Sequence, residues 1–218
     1  MSRRALTTAA AALTATTALL LTACGGGDDK SSDDIKGADT GSTSPSASAS
    51  GGSQAGRPDV SVPKDLDLVF DFDTPSDAKH AAALADAQNY IRALDHGIDK
   101  QDPEDPAYQF YSDGSASQYA KSQIQAWVKG GWTVTGTDKY YDAETNAVGK
   151  GKRVLVSFCR NQAEFFGKEI KTGKVLRTKE SLSSYQKFTM MMFPPSGSSP
   201  AWKAQVIEVK GKAKECQA

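Results

Sequence analysis

Three cysteines and two histidines are the whole supply of thiol and imidazole ligands in 218 residues. The histidines, His80 and His96, stand sixteen residues apart with no paired cysteines beside them, which fits no zinc pattern. No glycine-rich loop follows a strand and opens a helix. Gly149-Lys150-Gly151 precedes a strand instead, so a phosphate cradle of the nucleotide-binding kind is excluded. The longest apolar stretch, Ala5 to Leu21, is interrupted by threonines and falls short of a stable span of roughly 20 residues. No cofactor and no metal is expected. The formal net charge is zero, which conceals an uneven distribution taken up below.

That apolar stretch has other meaning. Arg3 and Arg4 precede it, and Leu21-Thr22-Ala23-Cys24 closes it with small residues ahead of a cysteine. A cationic start, an apolar middle and a small-residue exit make a signal peptide, and the last four residues resemble a lipobox. Membership of the bacterial lipoprotein class implies cleavage before Cys24 and a palmitate-type lipid anchor on it. The mature protein would then be held at the outer face of the cell membrane, extracytoplasmic. Ser2-Arg3-Arg4 and Leu6 leave both the general and the twin-arginine export routes open. Export also sets nucleic acid aside as a partner. With Cys24 given to lipid, Cys159 and Cys216 remain as an even pair, and a disulfide between them is expected to contribute about 3 to 5 kcal/mol.

The expected organisation is a signal peptide over 1–23, a lipidated Cys24 with a disordered tether over 24–58, and one folded domain over 59–218. Gly25 to Arg57 is built of glycine, serine, alanine, threonine and aspartate with no aromatic residue, too little apolar surface to order itself. The domain is of a size for one core. Asp59 to Ala147 carries sixteen acidic and seven basic residues, and Val148 to Ala218 five acidic and fourteen basic. Packing of the two halves on each other is the plain explanation. The sharper one is a basic surface, from Lys150, Lys152, Arg153, Lys210, Lys212 and Lys214, facing anionic lipid or wall polymer.

Asp65, Asp67, Asp71 and Asp73 alternate with Leu66, Leu68, Phe70 and Phe72, the pattern of a half-buried entry strand or extended arm. A calcium loop is the rival, but the run lacks the glycine and terminal glutamate of such loops. Thr74-Pro75-Ser76-Asp77 reads as a capping box with proline at the first helical position. It precedes His80, Ala83, Leu84, Ala87, Tyr90, Ile91, Leu94 and Ile98 on one helical face. A short helix follows at Pro106 to Tyr111. A second long one is capped at Ser115 with Gln118, buries Ala120, Ile124, Trp127 and Val128, and stops at Gly130-Gly131. Strands are expected at Trp132 to Thr137, Arg153 to about Phe165, Lys174 to about Thr178 after a hairpin turn at Lys171-Thr172-Gly173-Lys174, Tyr185 to Phe193, and Trp202 to Lys210. No crossover helix separates them. The class is therefore α+β, with N-terminal helices packed on an antiparallel sheet.

That element order resembles the nuclear transport factor 2-like, cystatin-like cone fold, shared by ketosteroid isomerases and polyketide cyclases. Phe110-Tyr111-Ser112-Asp113 through Trp127, Gly130-Gly131-Trp132 and Thr135-Gly136 are similar to the matching part of uncharacterised actinobacterial-type lipoproteins. Many of those carry a cysteine pair near the start of the second long helix, where Asp113 to Tyr119 has none. The resemblance implies a strongly curved sheet and a cavity inside the cone.

An enzyme of that kind needs a buried carboxylate base opposite hydrogen-bond donors. Alternation puts Glu208 with Trp202, Ala204 and Val206 on the inner face, making it the candidate base, with His80 and Tyr90 as donors. Trp127, Trp132 and Trp202 complete the candidate pocket, and Tyr185 with Met190 to Phe193 add apolar surface. A second, weaker pattern is Ser76-Asp77-Ala78-Lys79, Ser112-Asp113-Gly114 and Lys171-Thr172-Gly173, in the order used by serine β-lactamases. Its spacings are too tight and its last triplet falls in a turn. No catalytic residue is assigned. The expected function is a noncatalytic binding or accessory module of the cell envelope, holding a small apolar ligand or an envelope protein. The alternative is a small isomerase or cyclase-like enzyme using the same cavity.

Overall fold

The computed structural model describes residues 56–197 and 199–217. The expected signal peptide, Cys24 and the expected tether as far as residue 55 lie outside the described residues. No helix among the described residues is long and apolar enough to cross a membrane.

Helix α1 runs Ala78–Lys100. It begins three residues later than the capping-box pattern implies, because the Asp77 carboxylate accepts the amides of both Lys79 and His80. A charged acceptor at a helix start answers the orphan amides and the helix dipole together, which Thr74 cannot match. The helix passes through Gly97 and ends at Gln101, in left-handed conformation at φ 56°. Gly97 is a packing requirement, since a Cβ there would lie 2.6 Å from Ile124 Cδ1 on the crossing helix. Helix α2 is Pro106–Tyr111, with Asp105 bonded to the Ala107 amide. Helix α3 is Gly114–Gly130, closed by Gly131 at φ 69°. The expected Ser115 cap does not form: Asp113 is the cap residue, and the Ser115 hydroxyl lies 3.3 Å from the Ile207 amide, whose hydrogen bond it accepts.

Among the described residues seven strands form one sheet: β1 Leu66–Asp71, β2 Trp132–Val148, β3 Arg153–Asn161, β4 Phe165–Glu169, β5 Val175–Leu176, β6 Tyr185–Phe193 and β7 Lys203–Gly211. All pairings are antiparallel except β1 with β2, which is parallel. The entry strand is thus real but departs from the all-antiparallel expectation, because the whole of α1, α2 and α3 lies between it and its partner. The architecture is α+β, with the helices on a curled sheet.

Strand β2 is the spine. Gly136 pairs with Leu66 on one side and Phe165 on the other, while Lys139 to Tyr141 pair with both β1 and β3. Strands β3 and β4 therefore follow each other along one edge of β2, and the single strand expected from Arg153 to Phe165 is broken at residues 162–164. Gly136, at φ 97°, makes room for the break, since a Cβ there would sit 2.1 Å from the Glu164 carbonyl oxygen.

The core fills the concave face. Val154, Val156 and Phe158 of β3 and Phe188, Met190 and Met192 of β6 point inward against Ala83, Ala87, Tyr90 and Ile91 of α1. Phe158 and Phe188 stack with centroids 5.5 Å apart, and each such buried aromatic contributes about 1.5 to 3 kcal/mol. On the opposite face Cys159 and Cys216 form a disulfide, Cα to Cα 5.3 Å, covered by Tyr185 and Ala213. Asp65 with Lys168, Asp113 with Lys203 and Asp138 with Arg160 join the acidic half to the basic half. Internal complementarity of the two halves thus takes up part of the uneven charge.

Candidate functional site

A cavity of about 140 Å³ opens between α1, α3 and the sheet, and its floor is built by helical spacing. Ile91, Leu94, Asp95 and Ile98 project from one face of α1 into it. Asp95 is therefore a carboxyl set in an apolar stripe. It is 2% exposed, and its Oδ2 has no hydrogen-bond partner among the described residues. Burial, and then the neighbouring Asp138 carboxylate, push its pKa up to about 8, against the partial opposition of Arg160. At neutral pH the acid form prevails.

The far wall comes from β2, β3 and β6. Asp138, wholly buried, accepts the Tyr140 hydroxyl at 2.7 Å, Arg160 Nε at 2.8 and 2.9 Å, and Arg160 Nη2 at 2.7 Å. Arg160 Nη1 reaches Gln186 Oε1 at 3.1 Å. The guanidinium lies over the Phe165 ring at 4.8 Å. Burial works against its charge, yet the Asp138 carboxylate beside it holds the pKa above the ordinary arginine value. Both charges are thus fixed within the pair. Tyr119 of α3 and Tyr140 have their pKa values raised by burial, so both remain neutral phenols. Trp127 packs edge-on against Phe165 at 5.8 Å, and the half-buried amides of Gln123 and Gln162 complete the rim.

Of the six pocket residues expected from the sequence, Trp127 lines this cavity and the other five do not. Tyr90 is buried in the core, donating to the Ala116 carbonyl at 2.7 Å. His80 faces Thr145, with Nδ1 to Oγ1 3.0 Å. Trp132 is 39% exposed beyond Trp127, and Trp202 is buried with its amide on Asp86 at 2.8 Å. Glu208 is exposed, a correction with a clear cause. Met191 pairs with Val206 and Met192 with Ala204, so Gln205 is a β-bulge residue that inverts the alternation after Ala204. Ile207 and Val209 turn inward in its place, and Val206 is 55% exposed.

Asp95, Asp138 and Arg160 were absent from the expected set. Asp95 had one available signal, an acid at i+4 from Ile91 between Leu94 and Ile98. Asp138 and Arg160 had none, since Asp138 lies beyond the expected end of its strand. The basic residues also separate: Lys150, Lys152 and Arg153 flank the β2–β3 turn, next to Val154 and Met192. Lys210 pairs with Lys187 beside Cys159. Five residues of strand, about 17 Å, lie between these two levels, and Lys210 is engaged by Glu215 at 2.8 Å.

No family model matches the chain, and no curated protein matches it. Among solved structures, the intermembrane space region of chloroplast protein ARC6 aligns at TM-score 0.40 and 14% identity, over 63% of this chain and 98% of that one. A likeness of that degree carries no functional inference.

Proposed function

We propose that this protein is a lipid-anchored, extracytoplasmic lipoprotein whose nuclear transport factor 2-like cone domain is a noncatalytic binding module of the cell envelope. The observation that carries the binding reading is the cavity faced by the unpartnered Asp95 carboxyl. A buried polar oxygen without a partner costs roughly 1 to 3 kcal/mol, so a ligand that satisfies it gains that much over one that does not. The wall carries three glutamine amides, an arginine and a carboxyl, which suits a small polar ligand better than the apolar one expected from the sequence. Anchoring rests on the Leu21-Thr22-Ala23-Cys24 pattern. Contact with an anionic surface would fall to the Lys150, Lys152 and Arg153 turn, since the second basic group lies away from it.

Native mass spectrometry of the full chain, extracted from envelope in mild detergent, tests the module. A retained mass of small-molecule size is expected. An empty chain, together with no partner recovered by pull-down, would overturn the reading. Replacement of Cys24 by alanine should move the protein from the membrane to the soluble fraction, and its retention on the membrane would end the anchor assignment.

A second reading as an enzyme draws on Asp95, whose acid form near neutrality is poised for proton transfer. Size weighs against the isomerase and cyclase substrates. A cavity of about 150 Å³ holds one benzene ring, and this one has about 140 Å³. A fused multi-ring substrate does not fit.

A further inference from the structure

We propose that the cavity between α1, α3 and the sheet binds a small primary ammonium ion of about four to six heavy atoms, its charge on Asp95 and its carbon chain against the aromatic wall. This deepens the binding-module reading and rests on it.

Charge selects the ligand. The titratable groups facing Asp95 are Tyr119 from α3, Asp138 and Tyr140 from β2, and Arg160 from β3. Arg160 is committed to Asp138 through three contacts and to Gln186 through a fourth. Ionised Asp95 would therefore leave the site one negative charge in excess, with no cation lining the cavity among the described residues free to meet it. An incoming cation restores neutrality to the ionised site, whereas an anion beside ionised Asp95 would add a second uncompensated negative charge. The shape of the site agrees. Tyr119, Trp127, Tyr140, Phe165 and Phe188 present rings to the cavity, and ring faces attract cations while their carbon surfaces accept an alkyl chain. An ammonium group has three N–H donors. One suits the unpartnered Asp95 oxygen, and the carbonyl ends of Gln123 and Gln162 can accept the others.

The proton count follows. At pH 7 the empty site holds Asp95 as the acid, so the ammonium ion displaces that proton to solvent and leaves a carboxylate–ammonium pair. Affinity should rise about tenfold per pH unit up to about 8. It should fall again above about 10.4, where an alkylamine loses its own proton.

Isothermal titration calorimetry of the full chain in detergent, with n-butylammonium, 1-butanol and butyrate as probes, tests the assignment. Butylammonium should bind tightest and release close to one proton at pH 7 across buffers of different ionisation enthalpy. Asp95→Asn should weaken butylammonium by at least about tenfold and leave 1-butanol unchanged. Equal binding of 1-butanol, tighter binding of butyrate, absence of proton release, or no heat from any probe would each overturn the ammonium assignment. The proton release is read on the unmodified chain, so it stands even if the variant does not fold. The wider module reading falls only if native mass spectrometry also finds the chain empty and no partner is captured.

Discussion

Asp86 and Asp95 stand nine residues apart on one helix, which puts them on opposite faces; each is 2% exposed, and their surroundings differ completely. Asp86 is saturated. Arg57 grips it through both guanidinium nitrogens, Nη2 at 3.2 Å, and the Trp202 amide donates to it at 2.8 Å. Asp95 has an oxygen with no partner and a cavity in front of it. Equal burial therefore implies nothing about role. A paired buried acid ties elements together, and here it ties the segment entering the domain to α1 and to the start of β7. An unpaired one facing space is a cost the fold retains, and such costs gather where ligands bind.

The contrast can be broken from either side. The largest effect is expected at Arg160, because Arg160→Met would leave the Asp138 carboxylate, wholly buried, without its cation. A loss of about 3 to 5 kcal/mol should appear in urea unfolding, and a loss below about 1 kcal/mol would refute the dependence of Asp138 on its arginine partner. Asp86→Ala comes next. It strands the Trp202 amide and a guanidinium that is only 19% exposed, and about 2 to 3 kcal/mol should be lost.

Asp95 should behave in the opposite sense. Its pKa is raised in the folded state, from 3.8 to about 8, so the native protein holds a proton that the unfolded chain releases. Stability contributed by Asp95 is thus full below about pH 4 and declines as pH rises toward about 8, with a slope of up to about 1.4 kcal/mol per unit. Asp95→Asn should remove that slope, and a pH dependence unchanged in the variant would refute the shift. The smallest effect belongs to Glu208, exposed on the outer face of β7. Glu208→Gln should alter unfolding free energy by less than about 0.5 kcal/mol and leave ligand retention as it is.

Much of the fold was readable wherever local chemistry decides alone. The Pro106 to Tyr111 helix, the Gly130-Gly131 stop and the Tyr185 to Phe193 strand stand where propensity and turn residues put them. Strand β2 was cut short at Thr137 because Asp138, Lys139, Asp142, Glu144 and Asn146 read as loop, although Asp138 faces inward. A buried acid destroys the alternation that would mark its strand, and only a partner from another strand, Arg160, makes it tolerable. The break at residues 162–164 and the bulge at Gln205 escaped for a related reason. Both depend on what lies across the sheet, namely Gly136 opposite Glu164 and Met191 with Met192 opposite β7. The bulge alone moved the candidate base from the inner face to the outer. The site went largely unread because its parts are long-range exceptions to the very patterns used to find elements.

The disulfide has a mechanical consequence. Cys159 and Cys216 are 57 positions apart, and β4, β5, β6 and β7 all lie inside the ring they close. Tension applied between residue 57 and the end of the chain would run through the sulfur bridge and bypass those four strands. About 200 Å of contour length would stay withheld until the bond is reduced. Stretched under oxidising conditions, the domain should yield in β1 to β3 and the three helices between β1 and β2, and the same pull after reduction should release the rest.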